Sequence, residues 1–418
     1  MIKRMPKVKE NKKVGKVSIK KQIRKNQILQ LLLQEGTMSP SEVTTKTELT
    51  LPMSSALMKE LAEEGYVTLK ELQTEKNVGR PPTTYVINPE GGFFFGVKVG
   101  LRKTRIILLD LQNNERYFHS EDTIDIKNSE EFLGRLIKTI KKIIKTQKIP
   151  FERIIGVGIA VPGLVNSKDG RSISYFNDLK MSLKEYMEEA LQLNVEIEND
   201  VNAISLGELH FGDAQDAKDV LCINLDKGIG MGVIINGELF TGANGLAGEL
   251  GHIRIDDRGK MCYCGKKGCL ETFASGEALV EEMRDFIHEN NASRTESILK
   301  ELGKEDIDLD AFIEVVLSGD QVGIELTEKA GESIGKAIGI LINLFNPQKI
   351  ILGGKLSQLK EYILFPVKSS VIKHSLPEAF AQANINYSNI RRKAGCLGAT
   401  TLVSDKVFQP SKAAMQFV

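Results

Sequence analysis

One imidazole and three thiols fall in one short stretch of this 418-residue chain. The stretch reads Gly248-Glu249-Leu250-Gly251-His252, then Cys262-Tyr263-Cys264-Gly265-Lys266-Lys267-Gly268-Cys269-Leu270-Glu271. His252, Cys262, Cys264 and Cys269 meet the ligand demand of a closed, four-coordinate structural zinc site. The thiols are separated by one and by four residues, and Gly265 and Gly268 permit the tight turns that aim them at one point. The alternative is a set of unrelated thiols, and clusters of His and Cys on short loops argue against it. Zinc requires neither Glu249 nor Glu271, which bracket the cluster and remain available for other chemistry.

A second group of polar residues follows the predicted strand Val195–Glu198, namely Asn199 and Asp200. Ligand-binding residues of α/β folds gather at such strand ends, and an Asn/Asp pair can both donate to and accept from vicinal hydroxyls. An N-cap for a helix starting near Val201 is the competing role.

The pattern Gly-Glu-Leu-Gly-His, then Cys-x-Cys-Gly-x-x-Gly-Cys-Leu-Glu, resembles that of the ROK family (repressors, open reading frames and sugar kinases), including its regulators of the NagC/XylR type. The resemblance runs from about Phe93 to the C-terminus. It implies a zinc held by His252, Cys262, Cys264 and Cys269. It also implies that Glu249, His252 and Glu271 contact sugar hydroxyls, with Gly163, Asn199 and Asp200 on the same sugar side. Asp200 matches the general base of the family's kinases. The implied fold is α/β, two-lobed and actin/hexokinase-like, with a ligand cleft between the lobes.

The resemblance weakens where ATP would bind. Kinases of this fold carry a first phosphate loop like Asp-x-Gly-Gly-Thr, and here Lys98 stands in place of the aspartate while Gly100 is kept. The second loop, like Gly-Thr-Gly-Ile-Gly, reads Asp226-Lys227-Gly228-Ile229-Gly230, with Lys227 for the threonine. Gly353-Gly354 matches the adenosine-side motif. A lysine binds phosphate as a point charge but does not ligate Mg²⁺, and phosphoryl transfer depends on the metal. These replacements imply degenerate ATP loops, no catalytic residue and a vestigial base at Asp200. An ATP-dependent sugar kinase carrying a DNA-binding domain is the runner-up. A third reading, a regulator controlled by a transport-system subunit, has no residue signature here.

Elements that position these residues are legible as periodicities. Apolar runs predict strands at Phe93–Val99, Arg105–Leu111, Arg116–Ile124, Ile154–Ala160, Leu221–Leu225, Met231–Ile235 and Lys349–Leu352, with helices at about Ser129–Thr146 and Thr327–Asn346. Ahead of them, residues 19–88 read as a winged helix-turn-helix. A helix from Ile19 ends at Gly36, Ser39-Pro40 opens a second, Thr50 caps a third running from about Pro52 to Glu64, and two wing strands follow. Met53, Ser54, Ser55 and Lys59 are the candidate groove-facing residues. Arg80, in Val78-Gly79-Arg80-Pro81-Pro82, suits a narrow minor groove. Regulators of the ROK family are similar here too, with Gly-Arg-Pro after the wing.

Residues 1–25 hold eleven Lys or Arg against one acid, Glu10, so the chain's net +1 hides a +10 segment on a body of −9. A basic arm over residues 1–18 beside a DNA reader favours phosphate contacts over a merely solvated tail. Double-stranded operator DNA, a monosaccharide or sugar-phosphate effector, and a homodimer or homotetramer are the expected partners. No apolar run approaches the roughly 20 residues of a membrane span. Cys222 and Cys396 are far apart, no disulfide framework is evident, and a cytoplasmic location is expected.

Overall fold

The computed structural model describes residues 16–70, 83–257, 259–290, 293–304 and 306–408. Arg80 and most of the basic arm lie outside them. The chain divides into two compact units, with boundaries at Asp200/Val201 and Gly398/Ala399.

The first unit is built on a five-stranded sheet in the order Val195–Asn199, Ile154–Val161, Phe93–Lys98, Lys103–Asp110, Glu115–Asp122. Phe93–Lys98 runs parallel to Ile154–Val161 and antiparallel to Lys103–Asp110. A central strand is covered on both faces, which is why this stretch is almost continuously apolar. Its alternation divides two cores. Phe93, Phe95 and Val97 pack with Phe132, Leu136 and Met187, from helices Ser129–Thr146 and Leu183–Leu191. Phe94 points the other way and joins the core of the winged helix.

That winged helix comprises helices Lys16–Glu35, Pro40–Lys46 and Leu51–Glu63, with a sheet in the order Thr37–Met38, Thr84–Ile87, Val67–Lys70. Ser39 and Glu42 form a reciprocal capping box that starts the second helix. Its hydrophobic core continues into the lobe through Phe94, Leu111, Val403 and Phe408. The Phe94 and Phe408 rings meet edge to face at 6.0 Å. Arg153 ties the seam by donating to Glu64 O (3.0 Å) and Gly91 O (3.2 Å), with its guanidinium 5.8 Å from the Tyr66 ring.

The second unit repeats the sheet plan in the order Glu238–Phe240, Ile229–Ile235, Val220–Leu225, Lys349–Gly353, Asn384–Tyr387. The middle strand pairs antiparallel with its hairpin partner and parallel with Lys349–Gly353. Between the third and fourth strands the chain inserts the Cys-rich loop and helices Gly276–Asn290, Ser293–Glu301 and Leu309–Leu317. The long helix starts at Gln321, earlier than the predicted Thr327, because the Asp320 carboxylate caps Gly323 N. Helix Glu361–His374 lies against it. Side chains at Gly331, Gly335 or Gly339 would strike Pro366, the Val367 carbonyl and His374 respectively. The edge strands Glu238–Phe240 and Asn384–Tyr387 are short and partly polar, and periodicity does not reveal them.

Candidate functional site

In the second unit, the ligand atoms of His252, Cys262, Cys264 and Cys269 all lie within 4.8 Å of one another. His252 Nδ1 is 3.5 Å from Cys262 Sγ, and Cys264 Sγ is 3.6 Å from Cys269 Sγ. Ligands at zinc–nitrogen and zinc–sulfur bond lengths on a tetrahedron stand roughly 3.5–3.8 Å apart, so these separations suit one zinc ion. Gly268 sits at φ +78, and a Cβ there would fall 1.5 Å from Asp256 O; only glycine allows the turn that returns Cys269 to the cluster. Backbone bonds Cys262 N to Lys266 O (2.8 Å) and Gly265 N to Cys262 O (2.9 Å) fix the loop tip. The Cys264 thiol is held below its ordinary value, chiefly by the Lys266 backbone N–H. Burial pushes Cys269 up to about 12.

The same loop gathers the sugar-side candidates of this unit. With Nδ1 turned to the thiols, His252 presents Nε2 to the opposite side, where it meets the Tyr263 hydroxyl at 2.9 Å. Enclosure lifts the Glu249 pKa above the usual carboxylate range; His252 pulls it back and Glu271 adds to the rise. Glu271 Oε2 accepts from Ile229 N at 3.0 Å. One carboxylate therefore fastens the second phosphate-type loop to the Cys-rich loop. Tyr263 was not among the sequence candidates. Its signal was only its place between two metal-type cysteines.

The first unit brings its own candidates together. Asn199 Nδ2 donates to Gly163 O at 2.8 Å. Asn199 ends the strand Val195–Asn199, and Asp200 opens the helix Asp200–Phe211. Lys98, last residue of the central strand, places Nζ 3.5 Å from Asp200 Oδ2, with both side chains under one-fifth exposed. The sequence marked Lys98 as a charge reversal; the structure pairs it with Asp200, the acid that the resemblance matches to the kinases' base. Gly100 lies in the hairpin turn, where a Cβ would meet Lys103 O at 2.7 Å.

In the second unit, Lys227 pairs with Glu277 at 3.5 Å on the surface. The Asp226–Lys227 backbone is bonded to the start of helix Gly276–Asn290 through Gly276 N and Glu277 N. Gly228 lies beside the Glu271 carboxylate, and Gly230 pairs with Asn224. Gly353 ends its strand, and Gly354 begins a 3₁₀ turn against Leu225 O.

A model of the ROK family matches residues 94–406. The chain belongs to the ROK family. It is similar to the DNA-binding transcriptional repressor Mlc of Escherichia coli, at 28% identity over 400 residues, covering 95% of this chain and 96% of Mlc. A crystal structure of a ROK family transcriptional regulator, a homolog of E. coli Mlc, matches with a TM-score of 0.78 and 28% identity over 93% of this chain and 97% of that one. A glucokinase from Thermotoga maritima is 28% identical over 293 residues, 69% of this chain and 90% of the enzyme. Both regulators and kinases of the family are thus relatives. The Mlc match extends over nearly the whole chain, and the kinase match over a shorter part of it.

The winged helix corrects one groove-facing assignment. Ser54 is fully buried and shares a hydrogen bond with Thr44 (3.1 Å), so it joins two helices instead of facing solvent. Met53 is half-buried, with its sulfur 3.1 Å from Arg24 Nη1. Ser55 is half-buried, and Lys59 is exposed, as are Leu51, Pro52 and Ala56. Two lysines of the basic segment are engaged within the domain. Lys21 pairs with Glu60 (2.7 Å), and buried Lys25 pairs with Glu60 (2.9 Å) and Glu64 (2.7 Å). Burial works against the Lys25 charge, but the two glutamates outweigh it and hold the ammonium above its ordinary value.

Proposed function

We propose that this protein is a sugar-responsive, DNA-binding transcriptional regulator, a repressor of carbohydrate uptake or metabolism genes, and not a kinase. Glu249, His252 and Glu271, with Gly163, Asn199 and Asp200, receive a monosaccharide or sugar phosphate. Residues 19–88 bind a pseudo-palindromic operator as part of a dimer or tetramer. Ser55, Lys59 and Arg80 face the DNA, and the arm adds phosphate contacts. His252 Nδ1, Cys262, Cys264 and Cys269 hold zinc, which supplies a rigid centre for the loop bearing Glu249 and Glu271. The protein acts in the cytoplasm; among the described residues no helix is long and apolar enough to cross a membrane.

The observation that carries the reading is the Lys98–Asp200 ion pair on the lobe that shares its core with the winged helix. A kinase uses that carboxylate as the base on a sugar hydroxyl and that strand end for a metal-orienting acid. Here an ammonium stands in place of the acid and offsets the charge of the carboxylate, which disfavours its use as a base but leaves it able to accept from a sugar hydroxyl. The test is incubation with ATP, Mg²⁺ and a panel of glucose, N-acetylglucosamine and xylose, with operator binding followed in parallel. The regulator reading expects sugar-dependent change in operator affinity without ADP release. Release at roughly 1–100 s⁻¹, ordinary for kinases, establishes the kinase reading instead, which the retained Asp200 and the glucokinase relative support.

A further inference from the structure

Tyr263 sits at the tip of the Cys-rich loop with its residue surface 83% exposed, yet its hydroxyl lies 2.9 Å from His252 Nε2. The two rings meet edge to face, centroids 5.0 Å apart at 83°. So the hydroxyl end meets the histidine assigned to the sugar, while most of the residue's surface is open to solvent.

We propose that Tyr263 is a built-in occupant of the sugar site, its hydroxyl holding His252 Nε2 until a sugar hydroxyl replaces it. This rests on the sugar reading of Glu249, His252 and Glu271. A phenol and a sugar alcohol offer the same hydrogen-bonding group, one O–H with acceptor lone pairs. With Nδ1 committed to the thiols, Nε2 has one hydrogen bond to give, and the two hydroxyls compete for it. The release is a side-chain motion. The backbone around residue 263 is pinned by the Cys262–Lys266 and Gly265–Cys262 bonds, whereas an exposed ring leaves by rotation about its own χ angles at little packing cost. The sugar must therefore displace an internal hydrogen bond, which raises the sugar concentration needed for the response.

A competing role is that of an outer partner that merely orients the zinc histidine. Tyr263→Phe separates the two, because it keeps the ring and removes only the hydroxyl. The experiment is calorimetric titration of the full-length wild type and variant with glucose, N-acetylglucosamine, xylose and the 6-phosphates of the first two, alongside zinc retention against a chelator. The expected result is roughly two- to tenfold tighter sugar binding by the variant, the span of one neutral hydrogen bond, with unchanged zinc retention. The chain has no Trp and eight Tyr, so sugar should also alter the tyrosine emission of the wild type and lose part of that change in the variant. Equal or weaker sugar binding by Tyr263→Phe overturns the proposal, as does faster zinc loss. If the wild type binds none of the five compounds, the sugar reading itself fails and this inference falls with it.

Discussion

The two lobes share one plan, a hairpin of three strands extended by two parallel ones, yet they treat the lysine at the first hairpin differently. In the first lobe Lys98 and its partner Asp200 have side chains 14% and 17% exposed; in the second, Lys227 and Glu277 are 39% and 54% exposed. A surface pair is screened and contributes about 0–1 kcal/mol. Breaking an enclosed pair leaves a partly desolvated charge behind. The same substitution for a phosphate-loop residue is thus a fixed feature in one lobe and a solvated one in the other. The second lobe carries what the first lacks, a Cys-rich insertion after its third strand. Glu271 of that insertion takes Ile229 N of the hairpin, so its phosphate-type loop is locked by a carboxylate.

The largest effect is expected from removing the centre of that insertion. Cys264 is exposed, so Cys264→Ser leaves the core intact. It should abolish stoichiometric zinc by elemental analysis and weaken sugar binding by more than about tenfold, since metal binding supplies folding energy to the loop. Zinc-free protein that binds sugar normally would separate the two functions of the insertion.

Next come two acids proposed to meet the sugar, Asp200 and Glu249. Asp200→Ala and Glu249→Ala should each remove the operator response to sugar at wild-type concentrations, a loss of about 1.5–3 kcal/mol for a charge-assisted bond. Operator affinity without sugar should persist in both, as read by titration on DNA. If only one variant loses the response, the two lobes do not contribute equally.

Phe408→Ala tests the seam joining the first lobe to the DNA reader. The side chain is buried and meets Phe94, so about 3 kcal/mol of stability should be lost, and operator binding should fall at temperatures where thermal melting shows the seam open. Operator affinity that tracks wild type throughout the melt would mean that the winged helix stands without the lobe.

The lysines sharpen the comparison directly. Lys98→Ala should cost about 1–2 kcal/mol in chemical denaturation, because Asp200 loses a partner in a partly enclosed setting. Lys227→Ala should stay within about 0.5 kcal/mol. Equal costs would remove the distinction drawn between the lobes. The smallest effect concerns the DNA helix. Ser54→Ala should cost about 1 kcal/mol through its bond to Thr44 and leave sequence preference intact, whereas Lys59→Ala should lower the salt slope of binding by about 0.9.

The helix Ser129–Thr146 and the central strands were legible because their burial follows a period that sequence displays directly. The helix containing Ser54 was legible as a helix, but its rotation was not. A small polar residue fits a groove face or a tight helix–helix contact equally well, and only Thr44, ten residues earlier, decides between them.

What the sequence determined by itself is local chemistry: four metal-type ligands on a glycine-turned loop, two bracketing glutamates, a basic N-terminal segment, and a charge reversal at the first phosphate loop. Spacing along one chain segment is enough for these, since backbone turns of a few residues fix which atoms can meet. Tertiary structure alone decided the partners of those charges. Lys98 and Asp200 are 102 residues apart in sequence, Lys25 reaches across to Glu60 and Glu64, and the Glu271 carboxylate finds Ile229 N. Ion pairs and hydrogen bonds act over a few ångströms, and which distant residues come that close is set by how sheets and helices stack, not by their order in the chain.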